Sequence, residues 1–148
     1  SNIIDKFTFA ADADATDVGD LTVARKDTTG QSSATYGYTS GGGQNVIDKF
    51  SFISDANATD VGDLTVSRGS LAGQSSNTHG YTSGGGSSNV IDKFSFSSVG
   101  NATDVGNLTV ARSGVNGQSS TTNGYTVGGS PNTNIIENLL IELFTNKF

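Results

Sequence analysis

The chain has 148 residues, of which 33% are hydrophobic, with 20 glycines, 1 proline and no cysteine, methionine or tryptophan. Its net charge of −6 is spread along the chain, which offers no basic face to nucleic acid, and the lack of cysteine excludes disulfides, thiolate catalysis and cysteine-based zinc sites. No apolar run reaches the length of a membrane span and residue 1 does not open a signal peptide, so a soluble chain without membrane contact is expected.

Thr, Ser, Val, Phe and Gly dominate, as in short strands joined by tight turns. The chain aligns on itself. Asn2-Ile3-Ile4-Asp5-Lys6-Phe7-Thr8-Phe9 returns as Asn45-Val46-Ile47-Asp48-Lys49-Phe50-Ser51-Phe52, and again as Asn89-Val90-Ile91-Asp92-Lys93-Phe94-Ser95-Phe96. The openings at Asn2, Asn45, Asn89 and Asn134 are spaced by 43, 44 and 45 residues. A period of that size marks solenoids, propellers or arrays, whose units cannot bury their own faces alone. The copies are bounded as 1–44, 45–88 and 89–133, with a tail at 134–148. Length differences gather after Gly41-Gly42-Gly43, Gly84-Gly85-Gly86 and Gly128-Gly129, which places an exposed connection there.

In chain order, the second copy predicts a strand from Val46 to Phe52 and a polar loop from Ser54 to Asp60. A second strand follows from Val61 to Ser67, then a small polar third strand, Gly73 to Thr78, and a fourth, Tyr81 to Ser83. The last two are joined through His79-Gly80, where the other copies have Tyr36-Gly37 and Asn123-Gly124; Asn-Gly is a strong hairpin-turn signal. The tail begins as the repeats do, with Ile136, Glu137, Leu139 and Ile141 matching Ile91, Asp92, Phe94 and Phe96. A fourth-copy strand is the preferred reading. The alternative is an amphipathic helix with Ile136, Leu139, Leu140, Leu143 and Phe144 as its stripe. Either form should be buried against the repeats or a partner.

Four short strands per copy resemble kelch repeats, over residues 2–133. The matching elements are the diglycine after a tyrosine strand (Tyr38 with Gly41-Gly42, Tyr81 with Gly84-Gly85, Tyr125 with Gly128-Gly129), the pairs Ile4/Phe7, Ile47/Phe50 and Ile91/Phe94, and the pairs Leu21/Arg25, Leu64/Arg68 and Leu108/Arg112. The tryptophan usual between the last two elements is replaced by Thr-Asp-Val, as in Thr59-Asp60-Val61. The segments Ala58 to Thr65 and Gly73 to Ser76 are also similar to tandem repeats in structural proteins of marine tailed phages, which implies a place in the virion. The resemblance implies an all-β propeller of four-stranded blades, three per chain, closed as a six-bladed ring by a homodimer, because rings usually need four to eight blades.

Candidate chemistry is sparse. Asp12, Asp14, Thr16 and Asp20 stand at positions 1, 3, 5 and 9 of a loop that could suit calcium. The equivalents weaken to Asp55, Asn57, Thr59 and Asp63, then to Val99, Asn101, Thr103 and Asn107, and no acid stands at position 12 (Val23). A polar turn is therefore the reading kept, with no metal. Asp5-Lys6, Asp48-Lys49 and Asp92-Lys93 recur in every copy, as do Arg25, Arg68 and Arg112. A catalytic centre needs an asymmetric set of differently tuned groups, so these are expected to pair neighbouring blades or to bond loop carbonyls. His79 is the sole histidine, and the triple glycine opens no helix, so no nucleotide loop is read. The polar strands Gln31 to Thr35, Gln74 to Thr78 and Gln118 to Thr122 are expected to line a central channel. The function expected is a non-enzymatic structural or adhesion module without catalytic residues or cofactor. The alternative is a carbohydrate-binding, lectin-like propeller. The expected partners are a second copy of the chain and a glycan or protein ligand whose contact residues the sequence does not assign.

Overall fold

A computed structural model describes residues 1–131 and 136–140. The described residues form thirteen strands and no helix. In chain order these are β1 (Ile3–Lys6), β2 (Thr16–Asp20), β3 (Thr28–Ser32), β4 (Tyr36–Gly41), β5 (Gln44–Ser51), β6 (Thr59–Arg68), β7 (Ala72–Ser75), β8 (His79–Ser83), β9 (Val90–Ser95), β10 (Thr103–Asn107), β11 (Asn116–Ser119), β12 (Asn123–Val127) and β13 (Ile136–Leu140). They make four antiparallel sheets: β1-β2, β3-β4-β5-β6, β7-β8-β9-β10 and β11-β12-β13. Every pairing joins consecutive strands. Each four-stranded sheet takes two strands from one sequence copy and two from the next, so sheets and copies are offset by half.

The local sequence explains each joint. Between β4 and β5 only Gly42 and Gly43 intervene, and Gly41, Gly42 and Gly43 have φ of 75°, 86° and 78°, a region that side-chain-bearing residues enter only with strain. The recurring Asp-Val-Gly unit is a β-bulge: Asp60 and Gly62 oppose Asp48 and Ile47, leaving Val61 as the extra residue. The same break occurs at Asp17-Val18-Gly19 and Asp104-Val105-Gly106. Each bulge is held by its aspartate, whose Oδ1 accepts the glycine N–H at 3.1, 3.0 and 3.0 Å in turn.

The hairpins β3-β4, β7-β8 and β11-β12 turn earlier than the sequence suggests. Ser33, Ser76 and Ser120 donate their N–H to the carbonyls of Tyr36, His79 and Asn123 at 2.9, 2.9 and 2.8 Å. Their hydroxyls accept the N–H of those same residues at 3.0 Å. The turn centres are thus Ala34-Thr35, Asn77-Thr78 and Thr121-Thr122, and the expected turn residues His79-Gly80 lie inside β8. Gly80 answers to packing: it pairs with Phe94, and a Cβ there would stand 2.3 Å from Phe94 Cζ. Gly37 sits under Phe50 in the same way. A ring over a cross-strand glycine covers backbone that no side chain shields.

The core lies between successive sheets. Tyr38, Ile47, Val61, Leu64, Leu71, Phe94 and Ala102 form one buried cluster with Phe96 against it, and Tyr81, Ile91 and Leu108 form the next. Tyr38 of β4 reaches into the following sheet, its ring stacked at 4.7 Å on Phe96 and tilted at 5.6 Å from Phe94. Aromatic pairs in this geometry add about 0.5–1.5 kcal/mol beyond the area they bury. Backbone bonds tie the loops in steps of one repeat: Ala58 N to the Asp20 carbonyl and Ala102 N to the Asp63 carbonyl, both 2.8 Å, and Ser70 N to Asp27 and Gly114 N to Ser70 at 2.9 and 2.8 Å.

Residues 136–140 form a strand. β13 pairs with β12 so that Leu139 faces Gly124 and Glu137 faces Thr126, the register in which Phe94 faces Gly80 and Asp92 faces Thr82. Of the tail expected to be buried, residues 134–148, Ile136 is 69% exposed; residues 134, 135 and 141–148, among them Leu143 and Phe144 of the helical alternative, and the side chains of 137–140 lie outside the described residues.

Candidate functional site

The recurring charges gather at the joints between sheets. Asp48 on β5 is fully buried and accepts bonds from the preceding connection: Thr22 N at 3.1 Å, Thr22 Oγ1 at 2.6 Å and Arg25 Nη2 at 2.8 Å. One repeat later Asp92 accepts Thr65 N at 3.2 Å, Thr65 Oγ1 at 2.6 Å and Arg68 Nη2 at 3.0 Å. The guanidiniums also donate to carbonyls, Arg25 to Val46 and Thr39 at 3.2 and 3.0 Å, and Arg68 to Thr82 at 3.1 Å. Arg112 donates to the carbonyls of Gly128 and Thr126 at 3.0 and 2.9 Å, and Glu137 occupies the register position of Asp48 and Asp92. Desolvation draws the pKa of Arg25 and Arg68 down from the ordinary arginine value, while Asp48 and Asp92 pull it back up. These groups hold one sheet to the next. Lys6 does something different, meeting Asp55 at 2.6 Å in an exposed pair.

The asparagines of the oxygen-rich loops are spent on backbone. Asn57 Oδ1 accepts the Asp20 N–H at 3.1 Å and Asn101 Oδ1 the Asp63 N–H at 3.0 Å, again one repeat apart. Of the residues weighed for calcium, Asp20 and Asp63 lend their backbones to these bonds, Asn57 and Asn101 their side chains, and Asp55 pairs with Lys6. Among the described residues no group of three or more His, Asp or Glu is placed to hold a metal ion.

The polar strands do not present their glutamines to an open channel. Gln31 and Gln74 are buried, and each amide crosses to the next sheet. Gln31 Nε2 donates to the Tyr81 carbonyl and Thr82 Oγ1 at 3.0 and 3.1 Å, and Gln74 Nε2 to Tyr125 and Thr126 Oγ1 at 3.0 Å each. Ser32 N and Ser75 N likewise donate to Ser75 Oγ and Ser119 Oγ at 2.9 Å. Recurrence in the sequence shows that these positions matter, but their partners lie about fifty residues away and no local pattern reveals them. Gln118, at the same repeat position, is exposed. His79 Nδ1 lies 2.9 Å from Thr78 Oγ1 and its ring 6.5 Å from Tyr81.

Two cavities at equivalent places differ in content. Between Lys49, Val61 and Phe96 the Tyr38 ring leaves only about 60 Å³. One repeat earlier, Lys6, Val18 and Phe52, with Ile4, Phe7 and Phe50, line about 440 Å³. No tyrosine of the described chain enters the larger space. It opens beside β1, whose outer edge pairs with no described strand, and Phe7, Phe9 and Phe52 are exposed around it. This slot is the candidate functional site, and what it offers is apolar surface and an unsatisfied strand edge. No family model and no curated protein matches the chain.

Proposed function

We propose that the sheets are blades of a kelch-like β-propeller that closes by association of two chains into a six-bladed ring, and that the protein is a non-enzymatic structural or adhesion module of a phage virion. The observation that carries the reading is the recurrence of the same kinds of contact, at the same repeat positions, from one junction to the next. Each sheet is a sequential antiparallel meander; the arginine–aspartate pair binds the first two junctions, the glutamine crossing the last two, and the middle one carries both together with Tyr38. Groups used identically at successive joints serve assembly, since a reaction centre would need them tuned apart. An open stack leaves apolar faces and strand edges in water, which closure removes. Two chains of three repeats supply six around a two-fold axis.

Light scattering tests the closure: the dimer weighs twice the 15.1 kDa chain, and a monodisperse monomer or trimer overturns the ring. A glycan array tests the role. Binding that grows with the number of repeats presented would replace the structural module by a lectin.

A further inference from the structure

The geometry points to a head-to-tail seam in which Tyr125 of a second copy fills the slot beside β1. This rests on the self-association proposed above and says which surfaces perform it. Among the described residues one such packing is complete: a tyrosine on the second strand of a sheet enters the space lined by the lysine and bulge valine of its own sheet and the phenylalanines of the next. Tyr38 makes it with Lys49, Val61, Phe94 and Phe96. The slot at Lys6, Val18, Phe50 and Phe52 has the same lining and no tyrosine. At the opposite end, Tyr125 has no following sheet among the described residues and is half-buried, whereas Tyr38 and Tyr81 are buried.

Three further positions agree. Gln31 and Gln74 are buried by bonds to the tyrosine carbonyl and threonine hydroxyl of the next sheet. Gln118 is exposed, and Thr39, the equivalent acceptor on the first complete sheet, is only half-buried where Thr82 and Thr126 are buried. Docking β12 of one copy on β1 of another in the register of β8 on β9 sets Tyr125 opposite Lys6 and Gly124 opposite Phe7. The same placement brings Gln118 to the Tyr38 carbonyl and Thr39 Oγ1, and carries Ser119 to Ser32 as Ser75 is carried to Ser119. The two ends complement each other, not themselves, so the contact is heterologous. The edge of β12 that β1 of the second copy takes is held in one chain by β13, so assembly exchanges one strand for another.

The absence of cysteine makes cross-linking clean. Chains carrying Ser32→Cys and chains carrying Ser119→Cys are prepared separately, mixed and oxidised. A S32C/S75C chain, whose two positions already share a 2.9 Å bond, calibrates the reaction within one molecule. The mixture should give a covalent species of twice the chain mass as its main product, and neither variant alone should exceed a tenth of that yield. Adding Tyr125→Ala to the S119C chain should slow cross-linking at least tenfold, while Tyr36→Ala, at an exposed tyrosine outside the slots, should leave the rate unchanged. A ladder from the double variant S32C/S119C supports the seam and replaces the ring by an open stack. A dimer by light scattering that forms no S32C–S119C bond, or that joins S119C to S119C, overturns the seam and leaves self-association standing. A monomer at all concentrations overturns both.

Discussion

Asp48→Ala should be among the most destabilising single changes in the chain. The side chains of Asp48 and Arg25 are 0% and 1% exposed, and the carboxylate accepts three hydrogen bonds, one from Arg25 and two from Thr22. Its removal leaves a buried guanidinium without the charge that offsets its desolvation. Breaking such a pair from one side costs about 3–5 kcal/mol. Against a domain stability of about 5–15 kcal/mol that is a large fraction, and for a chain of this size it lowers Tm by about 6–20 °C. Urea unfolding followed by far-UV circular dichroism and tyrosine fluorescence measures it, since the chain has no tryptophan. The exposed pair supplies the contrast: Asp55→Ala should change stability by less than about 0.5 kcal/mol. The double variant Arg25→Met with Asp48→Ala should recover at least half of the loss, because it removes the stranded charge. A cost below about 1 kcal/mol for Asp48→Ala, or a double variant as unstable as the summed singles, would refute the reasoning.

Gly80→Ala forces its new methyl into the Phe94 ring and should cost about 1–3 kcal/mol by displacing it; a neutral result in thermal unfolding would show that the ring moves aside freely. Burial raises the Tyr38 pKa above its ordinary value of 10.0, with Tyr36 adding to the rise. The folded state then holds its proton longer than the unfolded one, so this contribution to stability is complete below the ordinary tyrosine range and lost as pH rises through it. Absorbance at 295 nm should show a late-ionising component among the four tyrosines, and Tyr38→Phe should diminish it. Calcium and chelator should leave Tm unchanged, because the loop oxygens differ between copies; a calcium-dependent rise of several degrees reversed by chelator would establish a site in the first loop.

Much of the architecture is legible in the sequence because it is written three times. The strand β5 is visible in Val46 to Phe52, and the recurrence of Asp48 and Asp92, Arg25 and Arg68 shows that each performs one structural job. What the repeats conceal is which copies are partners. Arg25 could serve Asp5, twenty residues before it, or Asp48, twenty-three after it, and only the half-repeat offset of the sheets decides for Asp48. The turn at Ser76 to His79 was obscured for another reason. Glycine serves both positive φ and close approach, and Gly80 needs the second while Asn123-Gly124 advertises the first. The glutamine crossings have no local signature, as a polar strand reads the same whether it faces water or a neighbouring sheet.

The glycine run between β4 and β5 also bears on how the chain finds its native pairing. Residues 45–52 and 89–96 are identical, so β4 meets two strands, β5 and β9, that it can bind equally well. Side-chain complementarity cannot separate them; only the length of the tether can. Two residues separate β4 from β5, against residues 42–89 between β4 and β9, a difference in closure entropy of about 2–3 kcal/mol. Gly42 and Gly43, already poised for the reversal, turn that difference into a kinetic preference for the near strand. In a chain that repeats itself, folding fidelity is set by its most featureless residues.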